Sequence, residues 1–136
     1  MLSLRYHRRW QIAGILVLLG VLMGTLIPAF WLWPDVSRVA FFAFDKWLHG
    51  ITFAFLAVWF SGQYSRQQYL AIGAGLFLFG ILIELCQRMV SYRTAELMDL
   101  AADTVGIAIG LGIALAGVGG WSLRLEERFA RRNRDS

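Results

Sequence analysis

Ionisable side chains interrupt the apolar segments of this sequence at spacings that would let them act together. The first group is Asp45, Lys46 and His49, and its acid and imidazole are four residues apart. Side chains four residues apart lie on the same face of a helix. A carboxylate that orients an imidazole makes a general base, and carboxylates combined with an imidazole suit a divalent cation.

Two further polar groups occupy the next two apolar segments. The first of these groups lies around Glu84, near the end of its segment, and Arg93 follows in the connection. The second group is the pair of acids Asp99 and Asp103, which are four residues apart. Their members are Glu84, Gln87, Arg88, Arg93, Asp99 and Asp103. Glu84 is the most informative of them, because a charge within an apolar helix is costly in lipid and is usually functional.

The composition indicates that lipid is the solvent around these groups. Hydrophobic residues make up 58% of the 136 residues and charged residues 16%, against about 25% charged residues in soluble domains. A soluble domain of this length buries only about two-thirds of its surface, which is too little to hide so many apolar side chains. The composition therefore excludes a soluble enzyme and a disordered chain.

The basic residues and the cysteine exclude further classes of protein. The net charge is +4, but the arginines cluster at the chain ends beside apolar segments, so we predict no nucleic-acid partner. Cys86 is the only cysteine, and there is no C-x-x-C or H-E-x-x-H pairing. We therefore predict no disulfide framework, no metal site and no cofactor.

Four apolar segments have the length of a membrane span, which is about 20 helical residues. We predict an all-α integral membrane bundle of four transmembrane helices, forming a single domain over residues 1–136. The spans are expected at about 12–31, 46–64, 69–90 and 98–121, with a basic cytoplasmic tail at 124–136. That tail reads as a topological anchor with a frayed end, although Leu123, Leu125 and Phe129 permit a short amphipathic helix.

The distribution of basic residues predicts the orientation. Nine arginines lie before the first span, between the second and third, or after the fourth. The other side carries Arg38, Lys46, Arg88 and Arg93. By the positive-inside rule both termini are cytoplasmic, in a multi-pass protein of the inner membrane. We expect the first span to be a retained anchor, because its apolar run is too long for a signal peptide and no A-x-A-like site follows.

Small residues in the last two spans predict where the helices pack. The fourth span has Gly106 and Gly110 at a four-residue spacing, and the third has Gly73 and Gly75. Because helix association in lipid depends on close packing of small residues, we expect the third and fourth helices to approach closely.

All three polar groups fall at the same end of the predicted bundle. Lipid would not tolerate them apart, so we predict one polar pocket, open to the cell exterior and lined by three helices. Each residue also has a simpler interpretation: the acids at helix starts favour the helix dipole, and Arg88 reaches lipid headgroups. A cluster that only holds the bundle together is a further alternative.

The same residues carry a family pattern. The sequence resembles the VanZ-like family of bacterial membrane proteins in three motifs, which are D-K-x-x-H over 45–49, G-x-x-x-E-x-x-Q over 80–87 and D-x-x-x-N-x-x-G over 99–106. The resemblance covers about residues 12–118. It departs from the family pattern at Asp103, where the family has Asn.

The resemblance implies a four-helix inner-membrane protein with its motif residues at the extracytoplasmic surface. The family is named for a protein associated with resistance to the glycopeptide teicoplanin, and its biochemical activity is not settled. We do not transfer the resistance association to this chain.

Three functions compete on the sequence. We favour a non-enzymatic protein that binds a lipid headgroup, a lipid-linked glycan or a glycopeptide-related ligand, with Lys46, Arg88 and Arg93 contacting its phosphate or carboxylate. The alternatives are an integral-membrane hydrolase or transferase, with His49 as base or with Glu84, Asp99 and Asp103 holding a cation, and a small proton-coupled carrier. Catalysis lacks an evident nucleophile, because Ser91 and Thr104 have no activating partner. The predicted partners are the lipid bilayer and this ligand. The sequence leaves open whether the chain also forms a homo-oligomer.

Overall fold

Helices account for the architecture. The computed structural model describes residue 2 and residues 4–26, 38–89 and 97–132, the side chains of 38–43 excepted, and these residues contain no strand. The helices are α1 (His7–Leu26), α2 (Arg38–Ser61), α3 (Tyr69–Arg88), α4 (Leu97–Ile113) and α5 (Trp121–Arg132). A short 3-10 turn precedes α3 and a π-helical turn continues α4. The prediction of an all-α fold is confirmed.

Three of the helices are long and apolar enough to cross a membrane. They cover His7–Leu26, Arg66–Arg88 and Leu97–Val118, and correspond to the first, third and fourth predicted spans. Among the described residues, α2, which has 24 residues, is not one of the three. That α2 also spans the bilayer stays a prediction.

The start of the second helix differs from the predicted span start for a local reason. The described part of the first helix runs to Leu26. Residues 27–31 of the predicted span lie outside the described residues. The second helix begins at Arg38, well before residue 46. Neither Pro nor Gly occurs between Arg38 and His49, so nothing stops the helix at Asp45.

The described part of the basic tail, up to Arg132, is helical, and residues 133–136 lie outside the described residues. The helix α5 is amphipathic, and two glycines with positive φ, Gly117 at 126° and Gly120 at 73°, turn the chain into it. The Arg124 guanidinium donates hydrogen bonds to the carbonyl oxygens of Gly117 (3.0 Å) and Val118 (2.8 Å). It thereby satisfies carbonyl groups that the end of a helix leaves without partners.

The closest helix pair is α2 with α4, not the predicted pair of third and fourth spans. Gly106 lies against the carbonyl oxygen of Gly50, and Gly110 against that of Ala54, so that a side chain at either glycine would overlap the backbone of α2. By contrast, Gly75 has nothing within 4 Å of where its side chain would be. The small residues of the fourth helix therefore make their tightest contact with the second helix rather than with the third.

The helix α3 does contact α4, at Gly73 and Gly80, but through side chains rather than backbone. A small core joins the helices and consists of Phe53, Leu56, Ala57, Leu76, Ile83 and Ile107. Outside it, large apolar side chains are widely exposed, with Leu70 at 86% and Leu16 at 62%. Apolar exposure on this scale marks contact with a membrane or a partner, and the apolar helices are compatible with a lipid bilayer.

Candidate functional site

Two parallel helices bring the predicted polar groups together. The contacts of His49 with Asp103, of Gly50 with Gly106 and of Ala54 with Gly110 advance along α2 and α4 in the same direction. Both helices therefore start at the same end of the bundle, where α3 finishes. We call the polar residues at this end the acid–histidine cluster, which comprises Asp45, Lys46, His49, Glu84, Gln87, Asp99 and Asp103.

The centre of the cluster is a buried pair of His49 and Asp103. The His49 Nδ1 atom lies 2.9 Å from Asp103 Oδ1, and the two residues are 4% and 0% exposed. A carboxylate in this position fixes the orientation of the ring and keeps the proton on Nδ1. The sequence had suggested Asp45 for this role, so the partner comes from α4 rather than from the preceding turn of α2.

A second ion pair lies one turn nearer the helix starts. The Lys46 Nζ atom is 3.2 Å from Asp99 Oδ1, and their side chains are 30% and 4% exposed. Asp45 is half-buried beside them. One ligand atom each from Asp45, His49 and Asp99 lies within 4.8 Å of the others.

The helices α3 and α1 close the cluster from the other side. Glu84 is 8% exposed and Gln87 is 1% exposed, and the Gln87 side-chain amide donates a hydrogen bond to the backbone oxygen of Thr25 on α1 (3.3 Å). A Cβ added to Gly80 would lie 2.8 Å from Asp103 Oδ2. The glycine therefore lets α3 approach the buried pair.

Several atoms of the cluster have no hydrogen-bond partner among the described residues, although they are buried. They are His49 Nε2, Glu84 Oε1, Gln87 Oε1 and Asp103 Oδ2. All four accept hydrogen bonds when Nδ1 carries the ring proton. Buried polar atoms are normally satisfied, so this side of the cluster is suited to a donor or a cation.

The remaining predicted residues lie elsewhere or outside the described part of the chain. Arg88 is exposed at the end of α3, and both Arg93 and Ser91 lie outside the described residues. The hydroxyl of Thr104 is exposed and donates to the backbone oxygen of Leu100 (2.8 Å). Crevices of about 350 and 380 Å³ lie away from the cluster, one beside α1, α2 and α3 and the other beside the N-terminal segment and α5.

Sequence reasoning missed a second polar region at the opposite end, which we call the tryptophan end and define by Trp10, Trp59, Trp121, Ser122 and Glu126. The three indole rings have centroids 5.3 to 6.0 Å apart. The Glu126 carboxylate accepts hydrogen bonds from the Trp10 ring (2.8 Å) and the backbone N–H of Arg5 (2.8 Å). The basic and apolar alternation of the tail was the one signal for it.

Apolar helices that expose their side chains while enclosing a charged cluster define a helical membrane protein. A sequence model of the VanZ/LLP1 family matches residues 4–118. The chain therefore belongs to the VanZ/LLP1 family, as the motifs had indicated. Comparison with curated proteins and with solved structures gave no significant match.

Proposed function

We propose that the protein crosses the inner membrane four times, with both termini in the cytoplasm, and binds the headgroup of an envelope lipid or lipid-linked glycan at the acid–histidine cluster. The surplus of arginines beside the first and last spans supports this orientation. It puts the cluster on the extracytoplasmic side, where such headgroups are displayed.

The observation that carries the proposal is the set of four buried acceptor atoms. Leaving a polar group without a partner away from water costs about 1–3 kcal/mol. A ligand that donates hydrogen bonds to Glu84 Oε1, Gln87 Oε1 and Asp103 Oδ2 removes this cost. Sugar hydroxyls and the ammonium of an amino-alcohol headgroup are such donors.

The placement of these acceptors also favours binding over a purely structural role. The pairs His49–Asp103 and Lys46–Asp99 would suffice to join α2 to α4. Glu84 on α3 contributes a carboxylate oxygen that no described residue contacts by a hydrogen bond, so it joins none of the described helices. Sites on helices hold their groups more precisely than sites on loops.

The direct test is mass spectrometry of the lipids that co-purify with the full-length protein in mild detergent. We expect one headgroup class to be enriched, and Glu84→Gln to reduce its retention about tenfold, since a hydrogen bond to a charged group contributes about 1.5–3 kcal/mol. The matched control is Glu127→Gln on the exposed face of α5. Equal retention of all headgroups by the wild type and both variants would contradict the proposal.

A further variant tests the basic residues of the proposal. Arg93→Ala is expected to lower retention of phosphate-bearing lipids more than that of neutral glycolipids, because a guanidinium binds phosphate in a bidentate manner. Unchanged retention of both lipid classes would show that Arg93 does not contact the ligand. The effect of Glu84→Gln on lipid retention would be interpreted as before.

The orientation has its own test. In a Cys86→Ala background, Leu97→Cys and Arg66→Cys are labelled with a membrane-impermeant thiol reagent. We expect residue 97 to react in intact cells and residue 66 only after permeabilisation. Labelling of residue 66 from outside would overturn the topology.

The geometry of His49 favours a second candidate, an integral-membrane hydrolase or transferase acting on a lipid-linked substrate. An imidazole held by a carboxylate on Nδ1, whose Nε2 has no partner in the described part of the chain, has the arrangement of a general base. The discriminating experiment incubates the protein with the retained lipid and follows product by mass spectrometry. Turnover that His49→Gln abolishes, with lipid retention intact, would favour the enzyme.

A further inference from the structure

We propose that Asp45, His49 and Asp99 form a binding site for a divalent transition-metal cation such as Zn²⁺ or Mn²⁺. The first observation is proximity, because a ligand atom from each residue lies within 4.8 Å of the other two. Two carboxylates and one imidazole are a ligand set that these ions accept, with further positions left for water or a ligand.

The second observation is the state of His49. This residue is 4% exposed, its Nε2 has no hydrogen-bond partner among the described residues, and its Nδ1 faces Asp103 at 2.9 Å. Histidines that bind metals characteristically give their other ring N–H to a carboxylate, which fixes the ring and makes it more basic. Asp103 therefore acts as a positioning residue for the ligand atom Nε2.

The third observation is the charge balance. Among the described residues the cluster buries three acids, Glu84, Asp99 and Asp103, and the Lys46 ammonium pairs with Asp99. Buried like charges are costly in a low dielectric medium, and a divalent cation offsets them. Lys46 already lies 3.2 Å from Asp99, so its ammonium and the metal ion compete for the same carboxylate.

Sequence spacing indicated only the Asp45 and His49 part of this site, because the third ligand comes from another helix. Asp99 follows Lys46 by 53 residues, and metal motifs are defined by short spacings within one segment. Only the parallel packing of α2 on α4 brings the acids of the two helices together.

The test is calorimetric titration of chelator-stripped, full-length protein in detergent with ZnCl₂. We expect saturable binding of one ion per chain. Asp99→Asn should weaken binding at least 50-fold by removing a ligand, whereas Lys46→Gln should tighten it about fivefold by removing the competing cation. Glu84→Gln removes the same charge from the cluster without removing a ligand, so it should weaken binding less than fivefold.

Each outcome is decisive. Absence of saturable binding by the wild type overturns the site, and so does equal weakening by Asp99→Asn and Glu84→Gln, which would indicate diffuse attraction to acids. If Asp99→Asn fails to fold, Lys46→Gln decides, and an unchanged affinity overturns the proposal. Because the titration measures ion binding and not lipid retention, its failure leaves the headgroup proposal intact.

Discussion

The two ends of the bundle both bury polar side chains, but they satisfy them differently. At the tryptophan end, neutral donors bond to backbone oxygens, as in Ser122 to Gly62 (2.6 Å) and Trp121 to Val58 (3.1 Å). The buried atoms there that have no partner within the described ranges are donors, on Trp59 and Gln63. At the acid–histidine cluster they are acceptors, most of them on ionisable residues.

This difference distinguishes polar groups that join helices from polar groups that are available to a ligand. A hydrogen bond to a backbone carbonyl fixes one helix on its neighbour and leaves nothing for a ligand. A carboxylate oxygen without a partner stabilises no helix contact and keeps its capacity to bind. The following variants test whether polar groups at the two ends differ in this way.

The largest effect is expected from breaking the buried pair at the acid–histidine cluster. His49→Leu leaves Asp103 buried without its partner, which should lower the free energy of unfolding by about 3–5 kcal/mol. The double variant His49→Leu/Asp103→Leu should recover most of that loss, because an apolar pair often replaces a buried ion pair at little cost. Unfolding in mixed detergent micelles measures both changes.

The same double variant distinguishes the two ends by function. We expect it to be stable and to lose the enriched headgroup class. A double variant that retains its lipids as the wild type does would show that the buried pair is architectural, like the tryptophan end.

The next effect concerns the contact that positions the cluster. Gly106→Ala would put a methyl group against the backbone oxygen of Gly50, and such overpacking costs about 1–3 kcal/mol. The matched control is Gly112→Ala on the same helix, since nothing lies within 4 Å of its added side chain. Equal stability of the two variants would contradict the α2–α4 contact.

A smaller effect is expected at the tryptophan end. Ser122→Ala removes a hydrogen bond to Gly62 and should lower stability by about 1 kcal/mol. Lipid retention should stay at the wild-type level, because the residue lies at the opposite end from the cluster. A selective loss of one headgroup class would show that the two ends are not separate.

The smallest effect concerns the N-terminal segment. Glu126→Gln weakens the acceptor for Arg5, Tyr6 and Trp10, so local opening should become more frequent. Limited trypsin digestion near Arg5 should be about threefold faster than in Glu127→Gln. Identical digestion rates would show that the carboxylate does not hold the segment.

Most of the fold could be predicted because the dominant signal is the length of the apolar segments. The second helix begins earlier than predicted because no helix breaker precedes His49. The amphipathic α5 was harder to predict, since its structure depends on the positive φ of Gly117 and Gly120 and on the Arg124 cap.

The members of the cluster were visible in the sequence, whereas their pairing was not. Asp45 lies four residues before His49 on the same helix, whereas Asp103 is 54 residues away in sequence. Periodicity alone therefore favours Asp45 as the partner. The choice of Asp103 follows from the parallel register of α2 and α4, which small residues on both helices set through backbone contact. The contribution of Thr25 left no sign, because its backbone oxygen accepts the hydrogen bond.

The register between the second and fourth helices has a consequence for biogenesis. The helix α2 carries Lys46 and His49, and their charged partners Asp99 and Asp103 lie on the later helix α4. While the ribosome is still adding residues 62–96, these partners have not yet been synthesised. We therefore expect α2 to pack stably only once α4 is present, and a product truncated before residue 97 to be removed by membrane proteases.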